Sequence, residues 1–445
     1  MPSDCRGLAV TCASEAAAVA FDHAVAGYLG YRLDTAARVK ACLDLDPDFC
    51  LGQVLRGYLT LAAFNQATVP AAREALAAAE AASAAATPRE KAHVAALAAW
   101  VDGRLDELLA RWEAIVRDHP RDVLAFRLHH FNAFWLGRPE QMLSLVEAAL
   151  PHWDPGLPGR GAMLACRAFA NEECGNYTVA ENAGREAIAL DPGDIWATHA
   201  VAHVLEMQGR RSEGIGLLGE LEPHWQGGNN LLHHLWWHRG LYHLEREEFG
   251  EVLALYDRGF RNLASPLVAA QPDLYIDIQN AASMLFRLTL LAVDVGDRWS
   301  ELADKAEGRI GDCLNPFTLP HWMMALVHTG RLQAAEAFLS ALDRTAEQTG
   351  TIADLVRRYA RPVSAAVLAH GRGRHHEAVE LMRPALGGMY RLGGSHAQQD
   401  VLEQLFADAA VKAGAKADVR LMVERLCGRH PLPPERRIGY RRLLS

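Results

Sequence analysis

The 445-residue chain has few strand signals. Alternating β-branched runs are nearly absent, Ala, Leu, Glu and Arg dominate, and helical periodicity recurs in most windows. An all-α fold is predicted. No run of about 18 consecutive apolar residues occurs, so no membrane-spanning helix and no membrane partner are expected. The alanine-rich run from Ala71 to Ala86 is broken by Arg73, Glu74 and Glu80 and suits a helix of a soluble protein. The start, Met1-Pro2-Ser3-Asp4-Cys5-Arg6, has no basic region leading into an apolar core, so no secretory leader is expected. Glycine-rich phosphate loops of the GxxxxGK[ST] and strand-linked GxGxxG types are missing, which argues against nucleotide binding by those routes. No Gly-x-Ser-x-Gly elbow stands in a strand–turn–helix context. Basic residues are in deficit, 45 against 54 acidic, and the net charge of −9 argues against a nucleic-acid partner. Eight cysteines are present but no Cys-x-x-Cys pair. They fit small buried residues in a reducing compartment, with cytoplasm as the expected location.

Hydrophobic residues make up 50% of the chain and charged residues 22%, too apolar a balance for disorder. The length could hold about three globular domains or one repeat array. The turns favour the array. Asp44-Leu45-Asp46-Pro47-Asp48, Arg117-Asp118-His119-Pro120-Arg121-Asp122 and Ala189-Leu190-Asp191-Pro192-Gly193-Asp194 share one logic. A helix ends, proline blocks its continuation, and an aspartate caps the next helix. Pro47, Pro120 and Pro192 are 73 and 72 positions apart, about two units of a roughly 34-residue helix–turn–helix repeat each time. First helices are predicted over 48–61, 122–136, 161–173, 194–207, 229–244, 272–293 and 316–327, and further helices over 363–370, 377–382 and 396–410. The predicted architecture is a single α-solenoid over 1–445, built of degenerate tetratricopeptide-like repeats, superhelical and with a concave groove. The glycine-rich break Gly387–Ser395 opens a C-terminal segment, 387–445, that is expected to close or cap the array.

Several stretches carry a family resemblance. They are Thr198-His199-Ala200-Val201-Ala202-His203-Val204-Leu205-Glu206-Met207, then Trp237-His238 within His234–Tyr242, and Ser283-Met284-Leu285-Phe286-Arg287-Leu288. Gly393-Gly394-Ser395 followed by Ala397-Gln398 and Asp400 adds a C-terminal match. Over most of its length the chain resembles the family of tetratricopeptide-repeat protein 38. The resemblance implies an α-solenoid of degenerate repeats and carries no catalytic assignment.

Histidine supplies the chemistry. Eleven of the 20 histidines fall between His119 and His243. His199, His203 and Glu206 share a narrow arc of one helix face, joined by Trp196. His234, His238 and Tyr242 repeat that spacing, and His199–His234 and His203–His238 are each 35 residues apart. Stacked first helices would set these imidazoles on neighbouring stripes. His199, His203, Glu206, His234 and His238 are therefore the candidate catalytic groups. One histidine would act as base, and Glu206 would orient it. Candidate substrate-binding residues are His130, Trp196, Trp237, Tyr242, Asp277, Arg287, His321 and His396. The expected function is binding of a small molecule or short peptide, with acid–base chemistry of the hydrolysis, elimination or isomerisation kind. The alternative is a non-catalytic scaffold for a protein partner. No cofactor is required by this scheme. A divalent metal such as zinc could sit on His199, His203, Glu206 and His238, although the HExxH pattern is missing because position 200 is Ala. The bland alternative is a set of histidines that hydrogen-bond within a polar core.

Overall fold

The computed structural model describes residues 1–444, and among them it contains 24 α-helices and no β-strand. Among the described residues no helix is long and apolar enough to cross a membrane. The predicted helices are present within a few residues, as Cys50–Leu61, Val123–Trp135, Arg160–Glu173, Ile195–Met207, Leu231–Glu245, Tyr275–Leu290 and Thr318–His328. Two of the three repeat turns follow the capping logic. Asp122 Oδ1 accepts the amide of Ala125 at 2.9 Å, and Asp194 Oδ1 accepts those of Trp196 and Ala197 at 3.0 and 2.9 Å. The first turn differs. Phe49 stands at the N-cap of the Cys50 helix without a side-chain bond, and Asp46 instead accepts the amide of Ala13 at 2.6 Å. The cysteines also divide. Cys42, Cys50, Cys166 and Cys313 are buried, whereas Cys5 and Cys427 are exposed.

The chain forms two compact units. The first comprises 1–134, 138–201 and 221–231, and the second 135–137, 202–220 and 232–445. In the first, Phe49, Tyr58, Trp112, Phe126, Trp153 and Phe169 are fully buried. Tyr58 donates to the carbonyl of His93 at 2.9 Å and accepts from Trp112 Nε1 at 3.1 Å, so both polar tips are satisfied inside the core. Asp122 binds this unit together. Its carboxylate pairs with Arg89 at 2.6 Å and His93 Nε2 at 3.0 Å while capping the Val123 helix. Burial raises its carboxyl, but His93 and Arg89 outweigh that and hold it far below the usual range.

In the second unit, helices Tyr275–Leu290 and His396–Lys412 are buried nearly all round, which marks them as its centre. The Tyr275 helix packs on Thr318–His328 and on His396–Lys412. The His396 helix starts from a capping box: Ser395 Oγ accepts the amide of Gln398, and Gln398 Oε1 accepts that of Ser395. Gly393, at φ +87°, precedes it, and a Cβ there would lie 2.5 Å from the carbonyl oxygen of Trp135. Only glycine fits that close approach. After Pro431 the chain turns in short 3₁₀ segments and packs on the same unit. Arg437 reaches Asp400 at 2.5 Å, and Arg211 donates to the carbonyl of Arg436 at 2.6 Å.

Asp122→Ala removes a helix cap and leaves a buried guanidinium without its carboxylate. A loss of about 3–5 kcal/mol is expected, read as a lower denaturation midpoint in urea. An unchanged midpoint would refute the role given to Asp122.

Candidate functional site

Four of the five candidate catalytic groups, His203, Glu206, His234 and His238, meet within the second unit. His203 comes from helix Ile195–Met207, and His234 and His238 come from helix Leu231–Glu245. The 35-residue register brings the ring centroids of His203 and His238 to 4.3 Å, and those of His234 and His238 to 4.7 Å. All three are buried, at 0–2% exposure. The Ile195 helix also carries His199 one turn before His203. Within the second unit, ring nitrogens of His203, His234 and His238 lie within 4.8 Å of one another, a buried histidine group that could hold a metal ion. Burial, reinforced by their mutual proximity, pushes His203 and His234 well down, and burial pushes His238 down to about 3. All three are neutral at pH 7.

Side chains, rather than backbone carbonyls, hold two of these rings. His234 Nδ1 lies 2.7 Å from Asn280 Oδ1, which only accepts, so Nδ1 carries the proton and Nε2 its lone pair. His238 Nδ1 lies 2.8 Å from Glu206 Oε2. Glu206, 19% exposed, is the member of the group that reaches open space. Burial pushes its carboxyl up to about 8, with Arg287 opposing the shift and Asp400 adding to it. The protonated carboxyl therefore donates to His238 Nδ1 at pH 7.

On its other side Glu206 lines a cavity of about 40 Å³ within the second unit. Arg287, Asp400, Arg437, His396 and Tyr242 line it too. The cavity holds a few water-sized positions. Asp400 is its fixed negative charge: burial works against ionisation, but Arg437 and Arg287 hold the carboxyl well below the usual range. Arg287 donates to the carbonyl of Ala397 at 2.8 Å and approaches Asp400 at 3.5 Å. Burial lowers His396 to about 4.

The candidate substrate-binding residues scatter. Arg287, His396 and Tyr242 line the cavity, although the Tyr242 hydroxyl is taken up by the carbonyl of Ala202 at 2.6 Å. Trp237 is fully buried and stacks on His234 at 5.0 Å, where it props the ring rather than meeting the cavity. Asp277 shares a face with Asn280 as expected, and holds His233 Nδ1 at 3.0 Å. His321 donates to or accepts from no side chain in this cluster; its Nδ1 lies 2.9 Å from the carbonyl oxygen of Phe317, and burial lowers it to about 4. His130 and Trp196 lie together in the first unit, ring centroids 6.1 Å apart, with His199 stacked on Trp196 at 4.6 Å. Sequence reasoning missed Arg437 and Arg127. Arg437 lies in the C-terminal segment expected only to close or cap the array, and Arg127 gave no signal beyond its place three residues before His130.

Glu206 links the site to stability. Its folded-state pKa is raised from 4.5 to about 8, so its contribution is fully present below 4.5 and is lost as pH rises through 8. Gln at this position does not titrate and can still donate to His238. Melting curves of Glu206→Gln and wild type should therefore diverge in favour of the variant as pH is raised across that window. Parallel curves would contradict the buried, protonated carboxyl. No family model matches this chain.

Proposed function

We propose that the second unit binds a small polar molecule in the Glu206 cavity and performs acid–base chemistry on it. Hydrolysis, elimination and isomerisation all need a group that gives and takes a proton near neutral pH. Glu206 fills that role, and His238 Nδ1 holds its carboxyl. Arg287 and Arg437 orient a substrate oxygen or carboxylate. One observation carries the proposal: the Glu206 carboxyl touches His238 on one side and opens into a charged cavity on the other. Screening small esters, lactones and hydroxy acids for turnover tests it. Once turnover is found, Glu206→Gln should lower kcat by roughly 10²–10⁴-fold with the fold intact by circular dichroism. Turnover that survives Glu206→Gln would sink the assignment. A scaffold that catalyses nothing would instead keep its protein partner in the same variant.

A second function is favoured by the histidines themselves. Ligating histidines are commonly held through their other ring nitrogen by a carboxylate or carbonyl oxygen. Asn280 Oδ1 and Glu206 Oε2 stand in those positions behind His234 and His238. Neutral imidazoles suit zinc. Elemental analysis after dialysis against zinc should then find about one equivalent, lost in His203→Ala with His234→Ala. No retained zinc would remove this function and leave the cavity chemistry standing.

The repeat architecture belongs to the same proposal. Helix pairs such as Cys50–Leu61 with Val69–Ala82 and Arg160–Glu173 with Tyr177–Leu190 pack directly. Left-handed glycines recur between helices at Gly103, Gly137, Gly175 and Gly209, two of those intervals being 34 residues. That period supports tetratricopeptide-like units stacked as a solenoid, and with it the resemblance to the tetratricopeptide-repeat protein 38 family. Eight free cysteines support a cytoplasmic setting.

A further inference from the structure

A buried arginine in the first unit makes no ion pair among the described residues. Arg127 lies on helix Val123–Trp135 and is 3% exposed. Its guanidinium is packed between two rings, 4.6 Å from the centroid of Trp196 and 5.3 Å from that of Tyr31. Nη2 donates to the Tyr31 hydroxyl, and Nη1 has no hydrogen-bond partner among the described residues. The acid that Arg127 feels, Asp194, spends its Oδ1 on the amides of Trp196 and Ala197. Guanidinium stays charged in proteins, and a buried charge is sustained by a counter-charge and full hydrogen bonding.

One turn on, His130 presents the same condition. It is 1% exposed, and neither ring nitrogen has a hydrogen-bond partner among the described residues. Residues three apart share a helix face, so His130 and Arg127 face the same side. Around His130 stand Phe126, Phe169 and Trp196, with ring centroids at 6.3, 6.0 and 6.1 Å. Tyr31 completes the wall. It stacks on Trp196 at 5.7 Å and takes a left-handed backbone, φ 51°, that a tyrosine rarely adopts. Arg127 Nη1 and both His130 ring nitrogens are thus buried, unmet polar atoms beside the rings of Trp196, Phe169 and Tyr31.

We propose that Arg127 and His130 form a binding site for the carboxylate of a small, flat organic acid. The carboxylate would accept from Arg127 Nη1 and from the protonated nitrogen of neutral His130, and the acid's body would lie against Trp196, Phe169 and Tyr31. One guanidinium matches one negative charge. A doubly charged phosphate would leave a charge buried without compensation. The site is separate from the Glu206 chemistry and rests on none of it.

Benzoate is the probe, with inorganic phosphate as the comparison, read by calorimetry and by thermal shift on the full chain. Wild type should bind benzoate saturably and melt higher in its presence. Arg127→Met replaces an unpaired buried charge with an apolar chain of similar length, so it should fold. It should weaken benzoate roughly ten- to a hundred-fold. His130→Phe keeps the aromatic wall, loses one donor, and should weaken benzoate by a smaller factor. Equal benzoate binding by wild type and Arg127→Met would overturn the proposal. So would phosphate binding without benzoate binding, or no benzoate binding at tens of millimolar.

Discussion

The Asp400 carboxylate is the tie on which the second unit depends. It sits on the central His396 helix and gathers Arg287 from the Tyr275 helix, Arg437 and the Tyr440 hydroxyl from the C-terminal segment, and Gln404 from its own next turn at 2.7 Å. Three parts of the chain far apart in sequence meet on one buried charge. Such a group is stable only because its partners surround it; removing any one would leave a charge in a low-dielectric interior. The same charge reaches into the site. Asp400 stays ionised and so helps keep Glu206 protonated, against the pull of Arg287. The cavity thus combines a carboxylate that does not take up a proton near neutral pH with a carboxyl that does. That difference in environment is how one small space can offer both charge and proton transfer.

The interior histidines obey a related constraint. Each imidazole is cheaper to bury neutral than charged, and a cluster is cheaper still to keep neutral because each cation would repel the next. His203, His234 and His238 therefore carry lone pairs inside the protein at neutral pH, and hydrogen bonds decide where those lone pairs point. Asn280 settles the matter for His234, since its oxygen accepts only from a protonated Nδ1. Trp237 stacks flat on the same ring, 12° from parallel, and fixes its plane.

Much of this was legible in the sequence because it is local or periodic. Helix positions followed from spacing and from the Asp122 and Asp194 caps. The 35-residue register pointed to His203 beside His238, and their rings do meet, on the Ile195 and Leu231 helices. The Gly393-Gly394-Ser395 turn also pointed to the helix start beside Asp400. What was hidden depends on contacts across long stretches of chain. Arg437 meets Asp400 across 37 residues and Arg287 meets it across 113, and no helical period encodes such meetings. Trp237 and Tyr242 share a helix with His238, yet face matching alone could not tell that one props a neighbouring ring and the other bonds a backbone carbonyl. Arg127 stayed hidden for the opposite reason: an arginine in an amphipathic helix reads as solvated until its burial is seen.

The position of one proton separates the two chemistries open to the histidine group. With Glu206 protonated, its carboxyl donates to His238 Nδ1, and His238 must carry its own proton on Nε2. That nitrogen then faces the cluster as a donor and cannot ligate a metal. With Glu206 ionised, Nδ1 holds the proton, Nε2 turns its lone pair inward, and the carboxylate becomes the outer support of a ligand. A bound cation would favour the second arrangement by its charge, while burial and Asp400 favour the first. Acid–base work at Glu206 and metal binding at His238 therefore compete for the same proton. The hydrogen bond between them, 2.8 Å long, is the point at which the protein chooses.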